Sequence, residues 1–222
     1  MTRTLPRIYW AAWWGAIMLL TVQISVESAL RYITGSHPAP EPIVANAFAK
    51  PFLVLHVIGA MAAFVVGPLQ FMPAIRRRLP AFHRATGRVH VLGCALGAPS
   101  GFILALGTSA GPIAGAPFAL SALLWSVFTW RGLRAAVEGR LNEHREWMLR
   151  GYAVLTGAIT LRLMLPAALM SGYEFYPAYR VISWLNWTIN LAGVEYWIRR
   201  KRDPSAARAG LAAPDTGFAA RR

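Results

Sequence analysis

From Val89 to Trp130 the chain carries no Asp, Glu, Lys or Arg. A soluble fold needs polar residues on the outward face of its surface helices, so a run of this length has few homes in water. It is about twice the ~20 residues a helix needs to cross the hydrocarbon of a bilayer. The stretch GTSAGPIAGAP, residues 107–117, divides it, because Gly and Pro close one helix and open the next. Two membrane helices joined by a short turn are expected here.

The same logic finds the other spans. Ile8 to Val26 and Pro51 to Ile75 are free of charge, and Gly151 to Tyr173 contains only Arg162. Val181 to Val194 is charge-free and reaches Ile198 if Glu195 is tolerated near a helix end. The expected fold is an all-α bundle of six transmembrane helices, at about 8–30, 51–75, 88–107, 112–131, 148–171 and 179–199. Composition agrees: 14% of residues are charged, against roughly 25% in soluble domains. The first span follows Arg3 and Arg7, as a signal peptide would, but exceeds the about 7–15 residues of a signal core. An uncleaved anchor is expected.

A net charge of +14 raises the question of nucleic acid, but the basic residues sit in short segments between apolar runs. Of 23 Lys and Arg, only Arg31, Lys50 and Arg180 fall on the side opposite the termini, and Arg162 lies within a span. The positive-inside rule then puts both termini in the cytoplasm of a bacterial inner membrane. The expected partner is the lipid bilayer with its anionic headgroups, with no nucleic acid. Residues 203–222 read as a disordered, basic cytoplasmic tail. The single cysteine, Cys94, allows no internal disulfide and no thiol-rich metal site.

Topology gives each polar side chain a depth. Arg162 falls roughly 20 Å along its helix at 1.5 Å per residue, in the outer half of the membrane. Gln23, Glu27, His56, Asn186 and Asn190 fall in overlapping layers. An ionisable group in lipid costs about 3 kcal/mol or more, so it turns inward and finds partners. Arg162 with Glu27 is the simplest pairing, with His56 able to join. Such a layer is either a ligand-binding or proton-moving pocket or a set of polar cross-links between helices.

At the inner face, HRATGRVH (83–90) and HREWMLRGY (144–152) each set a His-Arg pair before a further Arg at the entry of a span. Cations oppose the dipole at a helix N-terminus. A bound anion would resolve that conflict, which makes His83, Arg84, Arg88, His144, Arg145 and Arg150 a candidate anion site. The other reading is that topology alone requires these arginines. His90 and His144 lie on the same side and could hold a b-type haem, whereas His56 lacks an intramembrane histidine partner. Gly59 and Gly67, in GAMAAFVVG, would permit close helix packing. No nucleotide loop, nucleophile elbow or paired-carboxylate site occurs, so enzyme activity is not expected.

Three segments in order carry a family resemblance: HVIGAMAAFVVGPLQF (56–71), HRATGRVH (83–90) and HREWMLRGYAVLTGAITLRL (144–163). Together they resemble the domain-of-unknown-function family 2306 of predicted multi-pass membrane proteins. The resemblance implies that His56, Gln70, His83, Arg84, Arg88, His144, Arg145, Arg150 and Arg162 belong to the family pattern. His90 falls where that pattern is expected to carry an aromatic residue. It implies no activity and no cofactor.

Three functions stay open. One is a membrane protein that binds a small ligand, lipid headgroup or proton at the polar layer and the His-Arg pairs. Another is a b-type haem protein of membrane electron transfer. The last is a structural or assembly subunit, with a membrane-protein partner or a second copy of the chain.

Overall fold

A computed structural model describes residues 5–202. The tail expected to be disordered, 203–222, lies outside the described residues, as do the first four positions. Among the described residues nine helices follow in order: α1 Leu5–Tyr32, α2 Glu41–Val44, α3 Ala49–Gln70, α4 Pro73–Arg78, α5 Pro80–Leu106, α6 Pro112–Val137, α7 Leu141–Leu155, α8 Gly157–Met170 and α9 Phe175–Arg202. No strand occurs among the described residues.

Local chemistry sets the boundaries. Pro73, Pro80 and Pro112 open α4, α5 and α6, where a missing N–H costs nothing and a fixed φ favours the helix. The long apolar run breaks between Leu106 and Pro112, where Gly111 takes a φ of 79° that a side chain would resist. Gly139, at 76°, turns the chain between α6 and α7. Only Thr156 separates α7 from α8, and its backbone stays in the α region. The pair thus runs as one rod of 30 residues with a local irregularity.

Among the described residues, four helical stretches are long and apolar enough to cross a membrane: α3, α5, α6 and α7 taken with α8. Their outward faces are apolar, with Leu92 at 69% exposure and Met170 at 89%. The interior is made of small and aromatic residues, with Phe64, Cys94, Ala98, Trp125, Tyr152 and Trp187 in its main cluster. Large aliphatic groups outside and small residues inside suit lipid as the solvent, since hydrophobicity cannot drive helix association there.

The tightest contact joins α3 and α5. A Cβ on Gly59 would lie 2.7 Å from the Gly93 carbonyl, and one on Gly93 would lie 2.6 Å from the Gly59 carbonyl. The backbones therefore touch. Gly67, the other glycine of that stretch, makes room for the Tyr152 ring instead.

The bundle has two distinct ends. At the terminal end, Trp14 of α1 stacks on Phe71 next to α4, and Arg202 of α9 pairs with Glu146 of α7. At the loop end, the α1–α3 connection lies over the α5–α6 turn. Asn46 Nδ2 donates to the Leu104 carbonyl at 2.7 Å, and Ser109 Oγ donates to the Pro42 carbonyl at 2.7 Å.

Candidate functional site

The polar layer in the loop half of the bundle is divided among three helix pairs. Glu27 is taken by Arg31, one turn along α1, and by His37 Nδ1 at 3.0 Å. The expected pairing of Glu27 with Arg162 is therefore not made. Residues four apart on a helix meet without cost in chain entropy, so Arg31 outcompetes a cation on another helix. Arg162 instead donates from Nη2 to Ser28 Oγ at 3.0 Å and from Nη1 to the Ala158 carbonyl at 3.2 Å. Both acceptors are neutral.

His56 does not join either group by a hydrogen bond. Its Nδ1 sits 2.8 Å from the Gly97 carbonyl on α5, and a carbonyl can only accept, so Nδ1 carries the proton. Asn186 is buried and donates to the Ile182 and Ser183 carbonyls of its own helix. Asn190 reaches across to α8, donating to Thr160 Oγ1 at 2.9 Å and Thr156 Oγ1 at 3.3 Å. That link docks α9 at the irregularity between α7 and α8.

Arg162 also lines a groove of about 220 Å³ between α1 and α8. Leu20, Ile24, Ile159 and Leu163 form its apolar wall, while Gln23 and Glu27 are its other polar members. The sequence reading missed Ser28, although Thr21, Ser25 and Ser28 recur at the i, i+4, i+7 spacing of one helix face. All three are buried. That periodicity was the available signal.

At the terminal end the expected anion cluster is reorganised. Arg150 is bound by Glu195 of α9, with Nη2 3.2 Å from Oε2 and a closer contact through Nε. It also stacks on Trp147, its guanidinium 4.6 Å from the ring centroid. Its charge is satisfied from within the protein, so Arg150 leaves the candidate anion site. Glu195, near the end of the last span, stands opposite Arg150 because α7 and α9 pack side by side. Arg145 lies over Trp197 at 5.6 Å. Arg84 and Arg88 are exposed and make no ion pair among the described residues. His83 comes within electrostatic reach of His144, the one link between the two His-Arg pairs among the described residues. His144 donates from Nδ1 to the Gly132 carbonyl of α6 at 2.8 Å.

His90 is 2% exposed, with Nδ1 3.0 Å from the Ala63 carbonyl and a buried Nε2 that has no partner. An anchored Nδ1–H and a bare Nε2 are the donor chemistry of a ligating histidine. The surroundings do not fit a haem. Nε2 is closed in by protein, and the histidine within reach of His144 is His83. Among the described residues, no three His, Cys, Asp or Glu gather as a metal site.

The family described as predicted membrane protein DUF2306 matches residues 53–198. The chain belongs to this family. The match covers α3 to α9 almost entirely, so the family part supplies Arg162, His56, His83, His90 and His144, while Glu27 and Ser28 on α1 lie outside it. No curated protein and no solved structure matches the chain.

Proposed function

We propose that the chain spans a bacterial inner membrane six times, with both ends cytoplasmic, and binds a small amphiphile with an anionic head in the α1–α8 groove. The single observation behind this reading is the charge balance around Arg162. Glu27 is consumed by Arg31 and His37, and Arg162 is left with neutral acceptors only. Glu27 lines the same groove but is already bonded to Arg31, so the cost of a cation at membrane depth, about 3 kcal/mol or more, is only partly offset, and an anionic head would lower it further. The apolar wall of Leu20, Ile24, Ile159 and Leu163 suits the body of such a molecule. Binding is the activity this supports, with no chemical step.

The topology is tested by labelling intact cells with a membrane-impermeant maleimide, using Cys94→Ala as the background. Ser36→Cys should label from outside and Asn142→Cys should not. The reverse pattern overturns the orientation. The groove is tested with laurate as the probe and dodecanol as its uncharged control. Laurate should raise the melting temperature of the purified protein and dodecanol should not, and Arg162→Gln should abolish the difference. Equal responses in the two proteins would end the ligand reading. Stoichiometric co-purification of another membrane protein, with no response to laurate, would favour an assembly subunit.

A further inference from the structure

The loop end of the bundle holds a second cavity, of about 400 Å³, between the last turn of α1, the α1–α3 connection and the first turns of α3. Hydrogen bonds fix its frame. Arg31 Nη1 donates to the Pro38 carbonyl at 2.7 Å, and the Ala47 N–H donates to the Gly107 carbonyl at 2.9 Å. Asn46 braces the same segment with both ends of its amide, accepting from the Phe48 N–H at 2.8 Å while it donates to Leu104. The walls therefore stand without help from a ligand. Arg31, Tyr32, Asn46 and Lys50 are the polar lining residues, and no acid lines the cavity. Arg31 already has Glu27 as its partner. Lys50 makes no ion pair, and the Tyr32 hydroxyl no hydrogen bond, among the described residues. Lys50 departs from helical geometry at the start of α3, with φ −106° and ψ 126°. Leu53 and Val54, one turn further on, give the cavity an apolar wall.

We propose that this cavity binds a small carboxylate with a short apolar body. Lys50 supplies the charge and Tyr32 a neutral O–H, two donors for the two oxygens of one carboxylate. Charge balance favours a monoanion over a phosphate dianion, because Glu27 already neutralises Arg31 and leaves Lys50 as the one unmatched cation of the lining. Leu53 and Val54 take the hydrocarbon part, and the enclosed volume favours a short chain. The cavity is separate from the α1–α8 groove. The two share no lining residue, and the Glu27–Arg31 pair forms the partition, with Glu27 lining the groove and Arg31 the cavity. Each site can therefore fail or stand without the other.

Lys50 and Lys201 are the two lysines of the chain, so Lys201 at the other end of the bundle serves as an internal reference. Protein in phosphatidylcholine nanodiscs is acetylated with N-hydroxysuccinimidyl acetate, at an ionic strength held constant with chloride, and each lysine is followed by peptide mass spectrometry. Hexanoate is the probe and hexanol its uncharged control. Saturating hexanoate should slow acetylation of Lys50 roughly tenfold, because an ammonium paired with a carboxylate stays protonated and covered, and should leave Lys201 unchanged. Hexanol should protect neither lysine. Tyr32→Phe, which removes only the hydroxyl, should raise the hexanoate concentration needed for protection several-fold. Arg162→Gln should leave the protection intact. An unchanged Lys50 rate in hexanoate, or equal slowing of Lys50 and Lys201, overturns the site. Loss of protection in Arg162→Gln would place the probe in the groove and overturn it too. Equal protection by inorganic phosphate would overturn the assignment to a carboxylate.

Discussion

His56 and His90 tie the same two helices together in opposite directions. His56 on α3 donates to Gly97 of α5, and His90 on α5 donates to Ala63 of α3. The glycine contact between Gly59, Gly93 and Gly97 lies between them, so the closest backbone approach is pinned at both ends. Neither bond stands without that contact. An imidazole reaches a carbonyl on the next helix only when the backbones nearly touch, and Gly101 leaves the space that the His56 ring occupies.

The two histidines should differ in what they contribute. His90→Ala removes a bond and opens a cavity in the core, and should cost about 2–4 kcal/mol. His56→Ala, at a half-buried position, should cost about 1 kcal/mol, in line with the modest worth of helix-bridging bonds in membranes. Reversible unfolding in detergent measures both. A larger loss for His56 would contradict the burial argument.

Gly59→Val should prevent correct packing of α3 on α5, because its Cβ meets backbone atoms of Gly93 and Gly97 that cannot rotate away. Gly193→Ala, with nothing within 4 Å of the added carbon, should be tolerated. Monodispersity on size-exclusion chromatography compares the two. A well-behaved Gly59→Val protein would mean that the helices are further apart than described.

The Arg150–Glu195 pair calls for a double-mutant cycle. Arg150 is nearly enclosed, with 11% of its side chain exposed, and Glu195 retains 31%. Arg150→Gln and Glu195→Gln should each cost about 1–2 kcal/mol, below the 3–5 of fully buried pairs because Glu195 still meets solvent. The double variant should lose less than the sum of the singles. Strict additivity would show that the two side chains do not interact.

Acid should loosen the α6–α7 turn. Hydrogen bonds from Arg134 and then Arg140 hold the Glu138 carboxyl below its ordinary 4.5, although it is exposed. The folded pKa is depressed, so its contribution is present above 4.5 and is lost as the pH falls through the folded value. Amide exchange at Gly139 and Arg140, corrected for its intrinsic pH dependence, should accelerate below that point. Glu138→Gln should remove the pH dependence.

Much of the architecture was readable in residue order, for a specific reason. A span is a one-dimensional property: the charge-free stretch from Val89 to Trp130 and the glycine and proline near 107–117 require helices and a break wherever the rest of the chain lies. The small-residue contact of α3 was legible in the same way at Gly59. The candidate site was legible only as a set of residues. Arg162 with Glu27 was a reasonable pair by sign and depth, yet Arg31 on the same helix reached the carboxylate first. Arg150 looked like an anion ligand until α9 brought Glu195 against it.

Length, hydropathy and punctuation in the sequence are sufficient for a helical membrane protein, because each span must satisfy its own backbone hydrogen bonds in lipid and does so locally. The allocation of charge could not be read that way. Which cation meets which carboxylate depends on helix rotation and neighbour choice, and these follow from backbone contacts such as Gly59 on Gly97. Helical spacing gave Glu27 to Arg31, whereas packing gave Glu195 on α9 to Arg150 on α7 and set Arg162 on α8 against Ser28 of α1.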